Sequence, residues 1–265
     1  AGCRFTIAGI MVILFGSILQ GRFLKAGKGD LPRIGKICLL QTVVQYFFFY
    51  VGLAHTTGVK GSIVEASNVF LAILVSSLIF HQEKLDQKKV LGCIVGFAGV
   101  VLINLSGSNV DMSFNLTGDG FIFISAIAYA LSSVLIKKYS AKSDPVMLSG
   151  YQFTAGGLVM ILIGFVMGGR NHTASMPAMI LLIYMALISA VAYTLWGILL
   201  KYNPVSKVSI FGFTNPVFGV ILSAIILREG NVFGMKDLIA LVLVSIGILI
   251  VNWAKPVGEK EKGMN

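Results

Sequence analysis

The stretch FTIAGIMVILFGSILQGR at residues 5–22 decides how the chain is read, because it returns as FTAGGLVMILIGFVMGGR at residues 153–170. Eight of the eighteen ungapped positions are identical: Phe5/Phe153, Thr6/Thr154, Gly9/Gly157, Ile13/Ile161, Leu14/Leu162, Gly16/Gly164, Gly21/Gly169 and Arg22/Arg170. The same offset of 148 residues pairs Gly99 with Gly247 and Asn104 with Asn252. An offset of 146 pairs Ser77/Ser223, Ile79/Ile225 and Glu83/Glu229. Self-similarity at a fixed offset marks a duplicated structural unit. The chain therefore reads as two repeats, over residues 1–105 and 118–254, followed by a tail at 255–265.

The repeated stretch is apolar on every side, and so is most of the chain. Of 265 residues 56% are hydrophobic and 12% charged, with a mean hydropathy of +0.88. A soluble domain carries about 25% charge. Too little polar surface remains here to cover a water-soluble body, and the same composition excludes disorder. The net charge of +10 does not point to nucleic acid, because the bases lie in short loops between apolar runs.

A membrane helix needs about 20 mostly apolar residues. Nine runs qualify: 4–20, 37–54, 59–80, 89–105, 119–137, 146–168, 177–200, 205–227 and 237–254. Barrel strands alternate over about ten residues, and these runs do not alternate. Connectors such as HTTG, HQEKLDQKK and KYNP are short and punctuated by helix breakers. The expected fold is an all-α integral membrane bundle.

Lysine and arginine set its orientation. Sixteen of them fall in the loops after the first, third, fifth and seventh runs and in the tail, among them Arg22, Lys89, Lys142 and Lys207. Four fall in the opposite loops: Lys60, Arg170, Arg228 and Lys236. The basic loops and the C-terminus are expected in the cytoplasm, with Ala1 outside. The second repeat holds five spans from near Gly118, so its counterpart would begin about thirty residues before Ala1. A tenth span is expected there. Five helices per repeat place matching loops on opposite sides, which makes the repeats inverted. Inverted repeats are the architecture of alternating-access transporters, with the solute near the midplane; the other reading is a duplication that only built a stable bundle.

Further motifs carry a family resemblance. Arg4-Phe5 is followed by Ala8-Gly9, a run ends at Glu83 and is followed by Gly92 and Gly99-Val100, and Asn215-Pro216 opens a run ending at Leu227-Arg228-Glu229. Over essentially its whole length the chain resembles the drug/metabolite transporter superfamily, in particular its EamA-like members. The resemblance implies ten helices, a central cavity, movement of small metabolites and a bacterial inner membrane. The family usually carries proline in both halves before the acidic residue. Here Phe70 stands where the second half has Pro216, so the first-half helix is expected to be less broken.

Ionisable groups inside a span are costly and are functional candidates. Arg4 and Glu65 each fall about two turns, roughly 10 Å, into their runs. They are expected to line the outward half of the cavity, paired with each other or touching a polar solute, with Glu65 a candidate carrier of a coupling proton. The alternative is a structural ion pair or an arginine snorkelling outward. Gln41, Gln45, Asn68 and Gln152, the counterpart of Arg4, can bond between helices or to solute. Tyr129 and Tyr193 lie deep enough to stack on an organic solute, and Asn215 precedes a mid-span proline that frees a backbone carbonyl. Gly92-x-x-x-Gly96 and Gly164-x-x-x-Gly168 read as close helix packing. Glu83 and Glu229 read as structural partners of loop lysines.

The reading is a secondary transporter, or permease, of small organic metabolites such as amino acids or drugs; a multi-pass membrane enzyme or a channel is the alternative. No HExxH, GxSxG or Walker motif occurs, so metal, serine and ATP chemistry lack their residues. Cys3, Cys38 and Cys93 form no CxxC. No cofactor, metal or nucleic acid is expected. The expected partners are a small-molecule solute and the lipid bilayer, with a coupling proton and a homodimeric second copy left open.

Overall fold

The computed structural model describes residues 1–105, 115–169, 175–215, 218 and 235–253, and the regular elements among them are all helical. Helix α1 is Gly2–Leu19. Helix α2 is Leu31–Leu53, with its middle, Cys38–Val44, widened into π-helical turns. Helix α3 is Gly58–Ala66, and α4 is Asn68–Leu74, which runs on into a π-helical turn at Val75–Ile79. Helix α5 is Gln87–Leu105. A π-helical turn at Leu116–Gly120 leads into α6, Phe121–Ser140. Helix α7 is Pro145–Val166 and α8 is Met176–Tyr202. Helix α9, Val205–Ser209, continues as a 3-10 turn at Ile210–Phe213, and α10 is Met235–Trp253.

Six stretches among the described residues are long and apolar enough to cross a membrane: Gly2–Leu19, Leu31–Leu53, Lys60–Ile79, Leu116–Ser140, Pro145–Val166 and Met176–Tyr202. Helix α5 covers the run expected at 89–105, and α10 the run expected at 237–254 as far as Trp253. Most of the run expected at 205–227 lies outside the described residues.

Local chemistry starts and stops these helices. Asp144 caps α7 by accepting from the backbone N–H groups of Val146 and Met147, with Pro145 at the first helical position. Asn115 does the same for the turn before α6, accepting from Thr117 and Gly118. The two copies of the repeated stretch end alike. Gly21 (φ +62°) and Gly168 (φ +84°) adopt the left-handed conformation that lets a helix close on itself. The N–H of Gly21 then reaches Ile18 O and that of Arg22 reaches Ser17 O; Gly168 and Gly169 reach Phe165 O and Gly164 O. This is the Schellman closure.

Two compact units form: residues 1–50 with 131–203, and residues 51–130 with 204–265. Each unit takes helices from both sequence repeats. In the first unit α1 packs on α7, and in the second α5 packs on α10. Both are pairs of helices that the sequence repeat matches to one another. Glycine makes the approach close: a Cβ at Gly9 would fall onto Thr154, one at Gly157 onto Thr6, and one at Gly99 within 2.8 Å of Ala240 O. Gly92 packs against Val251 and Gly247 of α10, and a Cβ at Gly96 would fall onto the Phe213 ring, so both serve close packing as expected. The expectation for Gly164 and Gly168 is corrected, since a Cβ at either meets nothing within 4 Å among the described residues. Gly168 is there to end the helix.

Polarity runs opposite to that of a soluble protein. Large side chains such as Ile180, Ile183, Leu187, Val191 and Leu195 of α8 point outward, while Gln41, Gln45, Ser125, Ser132, Gln152 and Ser189 are buried. Small and polar residues between helices with apolar groups facing out are what a hydrocarbon solvent selects. The protein is an integral membrane protein.

Candidate functional site

The first unit gathers five of the expected residues around its aromatic centre. Phe5 of α1 and its repeat counterpart Phe153 of α7 stack with ring centroids 5.2 Å apart and planes at 16°. Tyr46 of α2 tilts against Phe5 at 4.4 Å, and Tyr193 of α8 meets Phe153 edge-on at 4.9 Å. The hydroxyls of Tyr46 and Tyr193 are hydrogen-bonded to each other. Polar residues surround these rings. Gln152 accepts from Thr42 Oγ1 at 2.7 Å and donates through Nε2 to Gln41 Oε1 at 2.8 Å. Gln41 and Gln152 are each 1% exposed and Gln45 is 5% exposed. The π-helical turns of α2 bring Gln41 and Thr42 onto this face; such a widened turn is frequent at functional sites.

Arg4 lies on the same cluster. Its guanidinium carbon sits 4.5 Å from the Phe5 ring centroid and 5.6 Å from that of Tyr46, within cation–π range. Its Nε is buried with no hydrogen-bond partner, as are Gln41 Nε2 and Gln45 Oε1. Buried polar atoms are nearly always paired, so three orphans on neighbouring helices make this cluster the candidate site.

The second unit holds Glu65, Asn68, Tyr129 and Asn215. Glu65 Oε1 accepts from Asn68 Nδ2 at 3.4 Å, while Glu65 Oε2 is buried without a partner. The chain between α3 and α4 tightens at Ser67, whose N–H bonds to Val64 O instead of a carbonyl four residues back. The interruption between the two helices is this one turn. Phe70 packs against Phe97 at 5.6 Å and Phe213 at 6.4 Å, so it serves the core of this unit. Tyr129 is half-buried on α6, and Asn215 is exposed. Pro216, Arg228 and Glu229 lie outside the described residues.

Two ionic clusters lie at helix ends in the second unit, of which the sequence pointed only to the Glu83–lysine pair. Asp119, 3% exposed, is paired with Lys60 at 3.1 Å and accepts from Thr56 Oγ1 at 2.6 Å and from the Asn115 N–H at 2.9 Å. Glu83 is paired with Lys89, as the sequence led one to expect, and also accepts from Ser76 Oγ at 3.0 Å and from the Ser206 hydroxyl and N–H. Burial pushes the Glu83 carboxyl up, but the Lys89 and Ser206 hydrogen bonds and the Lys89 charge outweigh it, leaving it below the ordinary glutamate value. Sequence reasoning also missed Thr42 and Tyr46. The signal available was a hydroxyl beside each glutamine within an apolar run. Among the described residues no three His, Cys, Asp or Glu side chains come together as a metal site would require, and the three cysteines are unpaired.

Apolar spans with buried polar and aromatic residues between them define a polytopic membrane protein. The chain belongs to the EamA-like transporter family, whose profile matches residues 1–105 and 116–253. It is 26% identical to a chloroplastic WAT1-related protein of Arabidopsis thaliana over 96% of this chain and 62% of that protein. It is 28% identical to an uncharacterized transporter of Methanothermobacter thermautotrophicus over 81% of this chain and 62% of that one. It is 26% identical to the uncharacterized transporter YetK of Bacillus subtilis over 97% and 79%. The chain thus spans about 62% of the length of the first two relatives. A solved crystal structure, 17% identical, aligns with a TM-score of 0.80 over 96% of this chain and 88% of its own, which is a likeness of fold.

Proposed function

We propose that the protein is a secondary transporter that moves small organic solutes across a membrane by alternating access. The observation that carries this is that, among the buried polar atoms without a hydrogen-bond partner, four belong to amide or charged side chains within apolar helices: Arg4 Nε, Gln41 Nε2 and Gln45 Oε1 in one unit, Glu65 Oε2 in the other. With no bulk water in the hydrocarbon, such atoms are expensive unless they meet a solute, an ion or confined water. The names of the relatives and the family support the same reading. Inverted repeats supply the mechanism, since two similar halves in opposite orientations can exchange conformations. In this reading Glu65 carries the coupling proton, and Tyr193, Tyr129 and Asn215 are candidate solute contacts. The membrane is a bacterial inner membrane with the C-terminus in the cytoplasm.

The test is counterflow of radiolabelled metabolites in proteoliposomes holding the full-length protein, with and without a pH gradient. Saturable counterflow is expected, and Glu65→Gln should abolish it in a protein that still purifies as a folded, monodisperse species. Flux that neither saturates nor exchanges would instead indicate a channel, and undiminished transport by Glu65→Gln would remove the role given to Glu65.

A further inference from the structure

We propose, on the basis of the transport reading above, that Arg4 is the receptor for an acid group and that the transported solute carries a carboxylate. The two repeats supply an internal control. Arg4 and Gln152 occupy matching positions, each directly before one of the two stacked phenylalanines. Gln152 is satisfied at both ends of its amide by Thr42 and Gln41. Arg4 is not: it belongs to none of the ion pairs among the described residues, and its buried Nε finds no acceptor. What it has is the faces of Phe5 and Tyr46.

Ring faces attract a cation but offer no acceptor in the plane of its N–H groups. A stacked guanidinium keeps its donor fork oriented and unspent, and that fork matches a carboxylate through two parallel hydrogen bonds. The neighbouring orphans suit the rest of such a solute. Gln41 Nε2 is a free donor on a side chain 1% exposed, and Gln45 Oε1 a free acceptor on one 5% exposed. Gln41 is tied to Gln152, beside Phe153, and Gln45 precedes Tyr46, which carries Arg4. The cluster of Arg4, Gln41, Thr42, Gln45, Tyr46, Gln152 and Tyr193 holds one formal charge. A single carboxylate neutralises it, whereas a phosphate dianion leaves excess negative charge in a low-dielectric interior.

The experiment compares amino acids with their α-amides, which lack any carboxylate: alanine with alaninamide, leucine with leucinamide, and phenylalanine with phenylalaninamide. Counterflow is measured in proteoliposomes for wild type, Arg4→Lys and Arg4→Gln, the last reproducing the residue at the matching position. Wild type should prefer the acid in at least one pair. Arg4→Gln should raise half-saturation for that acid by about tenfold or more and erase the preference over the amide, with Arg4→Lys in between. Equal handling of acid and amide by wild type, or unchanged acid preference in Arg4→Gln, overturns the proposal. So does an Arg4→Gln defect seen only in vesicles containing phosphatidylglycerol and absent in phosphatidylcholine, because the arginine then serves a lipid phosphate. If no solute is exchanged, thermal stabilisation of the detergent-solubilised protein by these six compounds decides. Stabilisation by an acid that Arg4→Gln loses sustains the acid site while the transport reading fails; no stabilisation overturns both.

Discussion

Glu83 shows how one carboxylate can organise a helix end. It accepts from Ser76, Ser206 and Lys89 and so ties the turn after α4 to the start of α9. Its side chain is 8% exposed and that of Lys89 11%, so little solvent screens the pair. Glu83→Gln leaves Lys89 charged and unmatched and should cost about 1.5–3 kcal/mol, seen as a lower melting temperature in detergent. Adding Lys89→Met should restore part of the loss, since the penalty lies mostly in the stranded charge. The folded carboxyl lies below its unfolded value. Its contribution is therefore complete above the ordinary glutamate value of about 4.3 and disappears as pH falls through the folded value. A melting-temperature profile should fall in that window for wild type and be flatter there for Glu83→Gln. Asp30 behaves alike: the Ser143 hydrogen bond, with Gly27 and Arg33, holds it below the usual aspartate value against some desolvation. The Glu83–lysine partnership could be read from the sequence because the loop is short. The Ser206 contact could not, because it joins residues 123 apart.

Helix pairing is decided by where glycine meets a neighbour. Gly9 and Gly157 are equivalent in the repeat, and each faces the threonine of the other helix, Thr154 and Thr6. A Cβ at Gly157 also lies 2.8 Å from Gly2 O, a backbone atom that cannot swing aside. Gly157→Val should therefore separate α1 from α7 and destabilise by about 1–3 kcal/mol. Gly164→Ala, whose Cβ meets nothing within 4 Å among the described residues, should be neutral or stabilise by up to about 1 kcal/mol through helix propensity. Chemical unfolding of the two variants checks the contrast. Spacing alone made both GxxxG pairs look like packing surfaces. Only the structure separates Gly92, pressed against Val251 and Gly247, from Gly164, pressed against nothing described. The π-helical turns of α2 were likewise not legible, because hydrophobic periodicity hardly distinguishes a widened turn within an all-apolar run.

Over the whole molecule, orientation follows from loop charge. With sixteen bases on one side and four on the other, residue 142 should face the cytoplasm and residue 175 the outside. In a background with Cys3, Cys38 and Cys93 replaced, Lys142→Cys should react with an impermeant maleimide only after cells are opened, and Ser175→Cys in intact cells. Labelling in the reverse order would invert the topology. The sequence by itself determined the membrane class, the helical class and the family, because each rests on composition, run length or motifs along the chain, and its self-similarity pointed to duplicated halves. It also named Arg4, Gln41, Gln45, Gln152 and Tyr193 individually, as polar groups out of place in apolar runs. Tertiary structure decided which of these meet. It stacked Phe5 on Phe153, satisfied Gln152, left Arg4 with ring faces for company, and built each compact unit from helices of both repeats. The physical reason is that a polar atom's partner is set by contacts more than a hundred residues apart, and an all-apolar helix carries no periodic mark of the face that will make them.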